Sequence, residues 1–138
     1  MRLSLYITAA PDQETAYRAW QFAHAAVSAG HKLERVFFAG AGVLHGQALS
    51  VTGRDERSMT ERWQQLQQHV QSLPGAKAQD AELVLCVTAA LRYGVLDADN
   101  AQRWEKSAIS VASGFIISGL GQLAEAQLSA DRLIHFPA

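Results

Sequence analysis

The stretch Leu83-Val84-Leu85-Cys86-Val87-Thr88-Ala89-Ala90-Leu91-Arg92-Tyr93-Gly94 decides the fold. It begins as an apolar run of the kind found in strands buried on both faces. It ends as an Ala/Leu-rich helical turn that Gly94 stops. Cys86, the only cysteine in the chain, stands where strand gives way to helix. In an open parallel sheet that edge is where ligands bind and chemistry is done. A thiol there faces the unpaired N–H groups of the next helix, whose positive dipole end favours the thiolate. The residue also fits a second role, that of a small buried hydrophobe.

Outward from this stretch, strands alternate with helices. Arg2 to Thr8 reads as a strand that Ala9-Ala10-Pro11-Asp12 breaks, with Asp12 predicted to cap the next helix. From Gln13 to Ala29, apolar residues from Ala16 to Val27 recur at helical spacing, and Gly30 is the predicted stop. Leu33 to Phe38 reads as a second strand, central because Val36-Phe37-Phe38 is continuously apolar. Ala39 to Arg57 reads as a long irregular stretch holding Gly40, Gly42, Gly46 and Gly53. Ser58 and Glu61 match a capping box, and Met59, Trp63, Leu66, Val70 and Leu73 lay one narrow stripe until Pro74-Gly75. Asp97 is predicted to cap a helix running through Trp104 and Lys106. Phe115-Ile116-Ile117 reads as a short extended piece or a turn, followed by a helix with Ser118 as its cap, and Leu133 to Phe136 closes the chain as a strand. The predicted fold is a flavodoxin-like α/β three-layer sandwich, with a mainly parallel sheet of four or five strands and right-handed crossovers. One domain spans 1–138, without repeat or linker.

Composition narrows the function. With 138 residues the chain can bury a sizeable core. Its 49% hydrophobic and 18% charged residues fit a globular protein. A net charge of −1 without any basic block argues against direct binding of nucleic acid or of an anionic membrane. Met1 to Ile7 is too short and too alternating for a signal peptide, and no run reaches membrane-spanning length. A lone cysteine excludes an internal disulfide and a cysteine-based zinc site. The expected setting is therefore reducing and cytoplasmic, with no metal and no cofactor.

Other candidates carry less. Gly40-Ala41-Gly42 follows the second strand, whereas a dinucleotide fold places its glycines after the first; flexible-loop glycines are the expectation. His45 sits in the loop leaving the same sheet edge as Cys86. It reads either as a proton acceptor for the thiol or as a solvated loop histidine. Arg92 reads either as a support for the Cys86 thiolate or as a surface arginine. His24, His31, His69 and His135 lack metal-ligand spacing and read as surface or strand-end residues. Ser118-Gly119-Leu120-Gly121 lacks the G-x-S-x-G pattern of a nucleophile elbow.

Four segments resemble, in order and spacing, the DsrE/TusD-like sulfurtransferases. Leu85 to Val95 resembles their active-cysteine segment. Val36-Phe37-Phe38 with Gly42-Val43 resembles the second strand and its loop. Gly114-Phe115 with Ser118 to Ala126 resembles the approach to the last helix, and Asp131 to Phe136 the closing strand. His45 has no counterpart in this resemblance, so no role for it follows. The resemblance implies a sulfurtransferase that carries sulfane sulfur as a persulfide on Cys86. It implies an upstream persulfide donor, DsrF/TusC-like and DsrH/TusB-like subunits in a heterohexamer, and a DsrC/TusE-like acceptor. The relay serves 2-thiolation of the wobble uridine of tRNA in one branch and oxidation of stored sulfur in the other. A non-catalytic scaffold subunit and a flavodoxin-type small-molecule binder stand as alternatives. Trp63, Trp104 and the Gly-rich stretch lead us to expect self-association when the chain is alone.

Overall fold

The structure is a computed structural model that describes the backbone of residues 1–138 and all side chains except those of Leu120 and Gln122. Five strands form one sheet: β1 (Arg2–Ile7), β2 (Lys32–Phe38), β3 (Glu82–Cys86), β4 (Phe115–Ser118) and β5 (Arg132–Phe136). Every pairing is parallel, in the order β4-β3-β2-β1-β5. The chain steps from β1 to β4 in one direction and only then crosses back to lie beside β1. A flavodoxin sheet crosses back after its second strand instead.

That walk distributes the helices. Right-handed crossovers moving one way across a sheet keep their helices on one face. These are α1 (Glu14–Ser28), α2 (Met59–Ser72), and the short α3 (Val87–Arg92) and α4 (Ala98–Arg103). The return crossover places α5 (Leu120–Ser129) against β1, β2 and β5 on the other face, which completes three layers.

The period of two along each strand sorts the core. Leu5, Ile7, Val36, Phe38, Leu83 and Leu85 point to the α1/α2 face and are buried. Small residues on α1, Ala16, Ala19 and Ala23, let that helix sit close to the sheet, beside Trp63, Leu66 and Val70 of α2. The opposite face holds a smaller cluster of Phe37, Ala39 and Val84, with Tyr6, Cys86 and Leu123 packed against it.

Several predicted punctuation marks hold. The Ser58 hydroxyl accepts from Glu61 N at 3.1 Å, and Asp97 Oδ1 accepts from Asn100 N at 2.9 Å. Gly30 and Gly94, at φ +92° and +72°, follow the last turns of α1 and α3. After each, the next N–H returns to the helix: His31 N to Ala26 O at 3.0 Å and Val95 N to Ala90 O at 2.9 Å. This is the Schellman arrangement.

Two predicted caps fail. Asp12 lies in the turn before α1, whose N-cap is Gln13. The Gln13 side chain accepts from Ala10 N at 2.9 Å and so closes that turn rather than the helix. Ser118 belongs to β4, paired in register with Cys86, so extended pairing carries the chain past it and Gly119 becomes the N-cap of α5.

The larger correction concerns the Gly-rich stretch. Gly40–Gly46 forms a 3-10 helix, not a flexible loop, and only the residues after it run irregularly up to α2. Gly42 and Gly46 are present because backbone and core come too close for side chains, whereas Gly40 stands in open space at φ +53°. A Cβ on Gly42 would stand 2.3 Å from the Ile7 carbonyl oxygen, and one on Gly46 would stand 2.5 Å from Leu85 Cδ1. Gly42→Ala is expected to lower the unfolding free energy by about 1–3 kcal/mol, the usual scale of overpacking. Gly121→Ala, on α5 with no atom near its added Cβ, is expected to gain about 0.5–1 kcal/mol from helix propensity. Denaturant unfolding of the two variants beside the parent checks both signs.

Candidate functional site

Cys86 is the last residue of β3 and the N-cap of α3, at φ −61° and ψ 124°. Its place follows from its neighbours. Leu83, Val84 and Leu85 bury their strand on both faces, and Ala89 and Ala90 are buried where α3 packs inward. The thiol is free and half-buried at this junction, in contact with both apolar clusters. Its side chain takes no capping hydrogen bond from α3, so the predicted proximity to helix N–H groups is present without a bond to one. Across the strand pair its partner is Ser118, which shares the face of the sheet that Cys86 occupies. Sequence alone could not reveal that neighbour, because β3–β4 register is set by pairing at a distance.

His45 is fully buried, and the solvated-loop reading falls. Trp63 Nε1 donates to His45 Nδ1 at 3.2 Å, and His45 Nε2 lies 3.1 Å from the Ala9 carbonyl oxygen. An indole N–H can only donate and a carbonyl can only accept, so the ring is neutral with its proton on Nε2. The Phe38 ring lies 5.0 Å away. Burial is the main cause that lowers the His45 pKa from 6.5 to about 4, opposed by the bond to Ala9. Both ring nitrogens are thus engaged away from the thiol. His45 ties the turn after β1, the 3-10 helix after β2, and α2 into one block. Thr60 adds a hydroxyl hydrogen bond to the His45 carbonyl at 2.6 Å. Trp63, expected to help cover a surface, is instead a core residue held by this contact.

Arg92 is exposed in the last turn of α3 and makes no ion pair or hydrogen bond to Cys86 among the described residues. Arg92 follows Cys86 by six positions along α3, a rise of about 9 Å. Arg92 instead lines a cavity of about 530 Å³ together with Leu49, Leu91, Leu96, Trp104 and Lys106. Of the three candidates, only Cys86 therefore stands at the sheet edge with its reactive atom reachable. Among the described residues, no three His, Cys, Asp or Glu side chains are grouped to hold a metal ion.

The profile of the DsrE/DsrF-like family matches residues 1–136. The chain belongs to that family. It is 43% identical to a sulfurtransferase TusD of Erwinia tasmaniensis, over 99% of this chain and all of that one. It is 39% identical to a putative sulfurtransferase DsrE of Allochromatium vinosum, over 99% of this chain and 98% of that one. The fold is that of the ychN protein from E. coli, at a TM-score of 0.68 and 22% identity over 99% of this chain and all of that one.

The buried imidazole has a consequence for stability. In the unfolded chain the ring takes up a proton near its ordinary 6.5, whereas in the folded protein it does so only near 4. Below 6.5 the unfolded state therefore binds more protons, and stability declines as pH falls through that window, levelling off below about 4. The loss attributable to this group is on the order of 3 kcal/mol at 1.36 kcal/mol per pKa unit. Denaturant unfolding between pH 7 and pH 4 should show this slope in the parent and a flatter one in His45→Gln. Equal slopes would mean that His45 does not titrate as a buried group.

Proposed function

We propose that this protein is a cytoplasmic sulfurtransferase that carries sulfane sulfur as a persulfide on Cys86. The observation that carries the reading is the single free thiol, half-buried at the C-terminal edge of a central parallel strand, in a chain of the DsrE/DsrF-like family. The sulfurtransferase names of the relatives, TusD at 43% and DsrE at 39% identity, support it.

The chemistry needs only a donor persulfide, the Cys86 thiolate and an acceptor thiol. The Cys86 thiolate attacks the outer sulfur of a donor persulfide, R–S–SH. The new bond is Cys86 S–S, the bond that breaks is the donor's S–S, and the donor leaves as R–S⁻. An acceptor thiolate then attacks the outer sulfur of Cys86–S–SH, and Cys86 leaves as thiolate. The chain has no second cysteine to discharge the persulfide as an internal disulfide, which suits a relay. Partial burial limits access by bulk thiols while the edge position leaves a path for a protein acceptor.

The relay reading assigns a DsrC/TusE-like acceptor, DsrF/TusC-like and DsrH/TusB-like companion subunits, and 2-thiolation of the tRNA wobble uridine as the destination. The DsrE-named relative supports the second reading, in which the same transfer serves oxidation of stored sulfur.

Incubation with a persulfide donor and measurement of the intact mass tests the carrier role. The parent is expected to gain one sulfur atom and Cys86→Ser none; a gain that survives in Cys86→Ser would sink the assignment. Loading of His45→Gln is expected within a few-fold of the parent. A loss of about a hundredfold, as for a removed acid–base group, would place His45 in the chemistry after all.

A further inference from the structure

Two arginines stand over aromatic rings where α1 and α2 pack side by side. Arg62 Cζ lies 4.9 Å from the centre of the Trp20 ring and 5.0 Å from that of Tyr17. Arg57 Cζ lies 5.5 Å from the Trp20 ring. Neither arginine forms an ion pair among the described residues. Carboxylates nearby do not take them. Asp12, Asp55 and Glu56 line an adjoining cavity beside both arginines without pairing to either, and Glu14 there is bonded to Arg18.

The rings leave most of the arginine donors unspent. A ring quadrupole attracts the cation but offers no oxygen to its five N–H groups. Arg57 gives one N–H to Gln65 Oε1. Arg62 is half-buried, and its guanidinium has no oxygen partner among the described residues. Its backbone carbonyl accepts from Trp20 Nε1 at 3.2 Å, which fixes the root of the side chain against the ring it covers. Arg57 directly precedes Ser58, the cap of α2. Both cations are thus held in place beforehand, which lowers the entropic cost of binding.

The donors border a cavity of about 200 Å³, walled by Trp20, Gln65 and the exposed imidazoles of His24 and His69, and no carboxylate lines it. Cations and N–H donors without a negative group suit an anion. The volume lies below the ~300 Å³ at which sites for drug-sized ligands begin, so the occupant is a small anion or the charged head of a small molecule. Two guanidiniums match a phosphoryl group, with three acceptor oxygens and a charge of about −2, better than a singly charged carboxylate. No basic block extends the spot into a track, and the chain's net charge is −1, which sets a long polyanion aside.

We infer that this cavity between α1 and α2 is a binding site for a phosphoryl group, free or as a small monoester, with Arg57 and Arg62 as the groups that hold it. No step of the sulfur chemistry enters the argument, and Cys86 does not line the cavity. The carrier role and the anion site can therefore fail separately.

Titration calorimetry of the full chain tests it, with inorganic phosphate and adenosine monophosphate as probes in about 0.15 M chloride, which screens loose surface attraction. At least one probe is expected to saturate a single site with a Kd of about 1 mM or tighter. Phosphate binding at least as well as the ester would mark the free anion as the ligand, and tighter binding of the ester would mark the monoester. Arg62→Gln and Arg57→Gln are each expected to weaken binding about tenfold or more, the scale of one lost charge-assisted hydrogen bond. Arg62→Lys, which keeps the charge but not the planar fork, is expected to fall between parent and Arg62→Gln. Arg18→Gln removes a cation of α1 that lies outside the cavity and is expected to bind within about twofold of the parent, as for an exposed charge. Should Arg62→Gln lose its folded circular dichroism, Arg57→Gln and Arg18→Gln decide. Absence of saturable binding of both probes, binding that the Arg57 and Arg62 variants leave unchanged, or an equal loss in Arg18→Gln would overturn the inference.

Discussion

The seating of the 3-10 helix Gly40–Gly46 on the sheet is the constraint on which the rest depends. There is no room for a side chain at Gly42 beneath the Ile7 carbonyl, or at Gly46 against Leu85. Between those glycines His45 reaches into the core and joins the Ala9 carbonyl to the Trp63 indole. A buried imidazole is costly unless both nitrogens are satisfied. Here satisfaction of both requires the turn after β1, the turn after β2 and α2 to be in place together. The C-terminal edge of the sheet is therefore one rigid block rather than three independent loops.

That block explains how the Cys86 thiol is held at a fixed position. The 3-10 helix packs on β3 and on α3, and Leu85, the residue it touches, directly precedes Cys86. The strand is thus clamped up to its last residue, and the thiol emerges where the clamp ends. On the other face, α5 packs on β1, β2 and β5. Ile116 of β4, 42% exposed, shows that the sheet is less covered beside Cys86. The Cys86 thiol lies on that less covered side.

Much of this was legible in the chain. An apolar run ending in cysteine and followed by Ala-Ala-Leu announces a buried strand that turns into a helix. Capping chemistry marked Ser58, Asp97, Gly30 and Gly94, because local hydrogen bonds decide helix ends. What was not legible depended on distance in space. Glycines at 40, 42 and 46 look alike whether they confer freedom or permit close packing, and only the Ile7 carbonyl and the Leu85 side chain tell the two apart. His45 looked solvated because nothing near it in sequence shows that Ala9 and Trp63 converge on it. Arg92 looked close to the thiol because six residues are few in sequence, yet a helix carries them well away. Ser118 looked like a cap because its pairing with Cys86 is a matter of register. The family resemblance pointed to Cys86 as the candidate, and local chemistry explained the ends of the helices around it; the packing that holds that edge needed the structure.

The central claim is that sulfur passes through Cys86 to another protein. The most direct measurement loads the parent with radiolabelled sulfane sulfur, removes the donor, and mixes it with a DsrC/TusE-like acceptor. The label should move to the acceptor as a thiol-releasable persulfide, and protein whose Cys86 has been alkylated before loading should deliver none. An acceptor that stays unlabelled beside a fully loaded parent, or one labelled equally by the alkylated protein, would contradict the account.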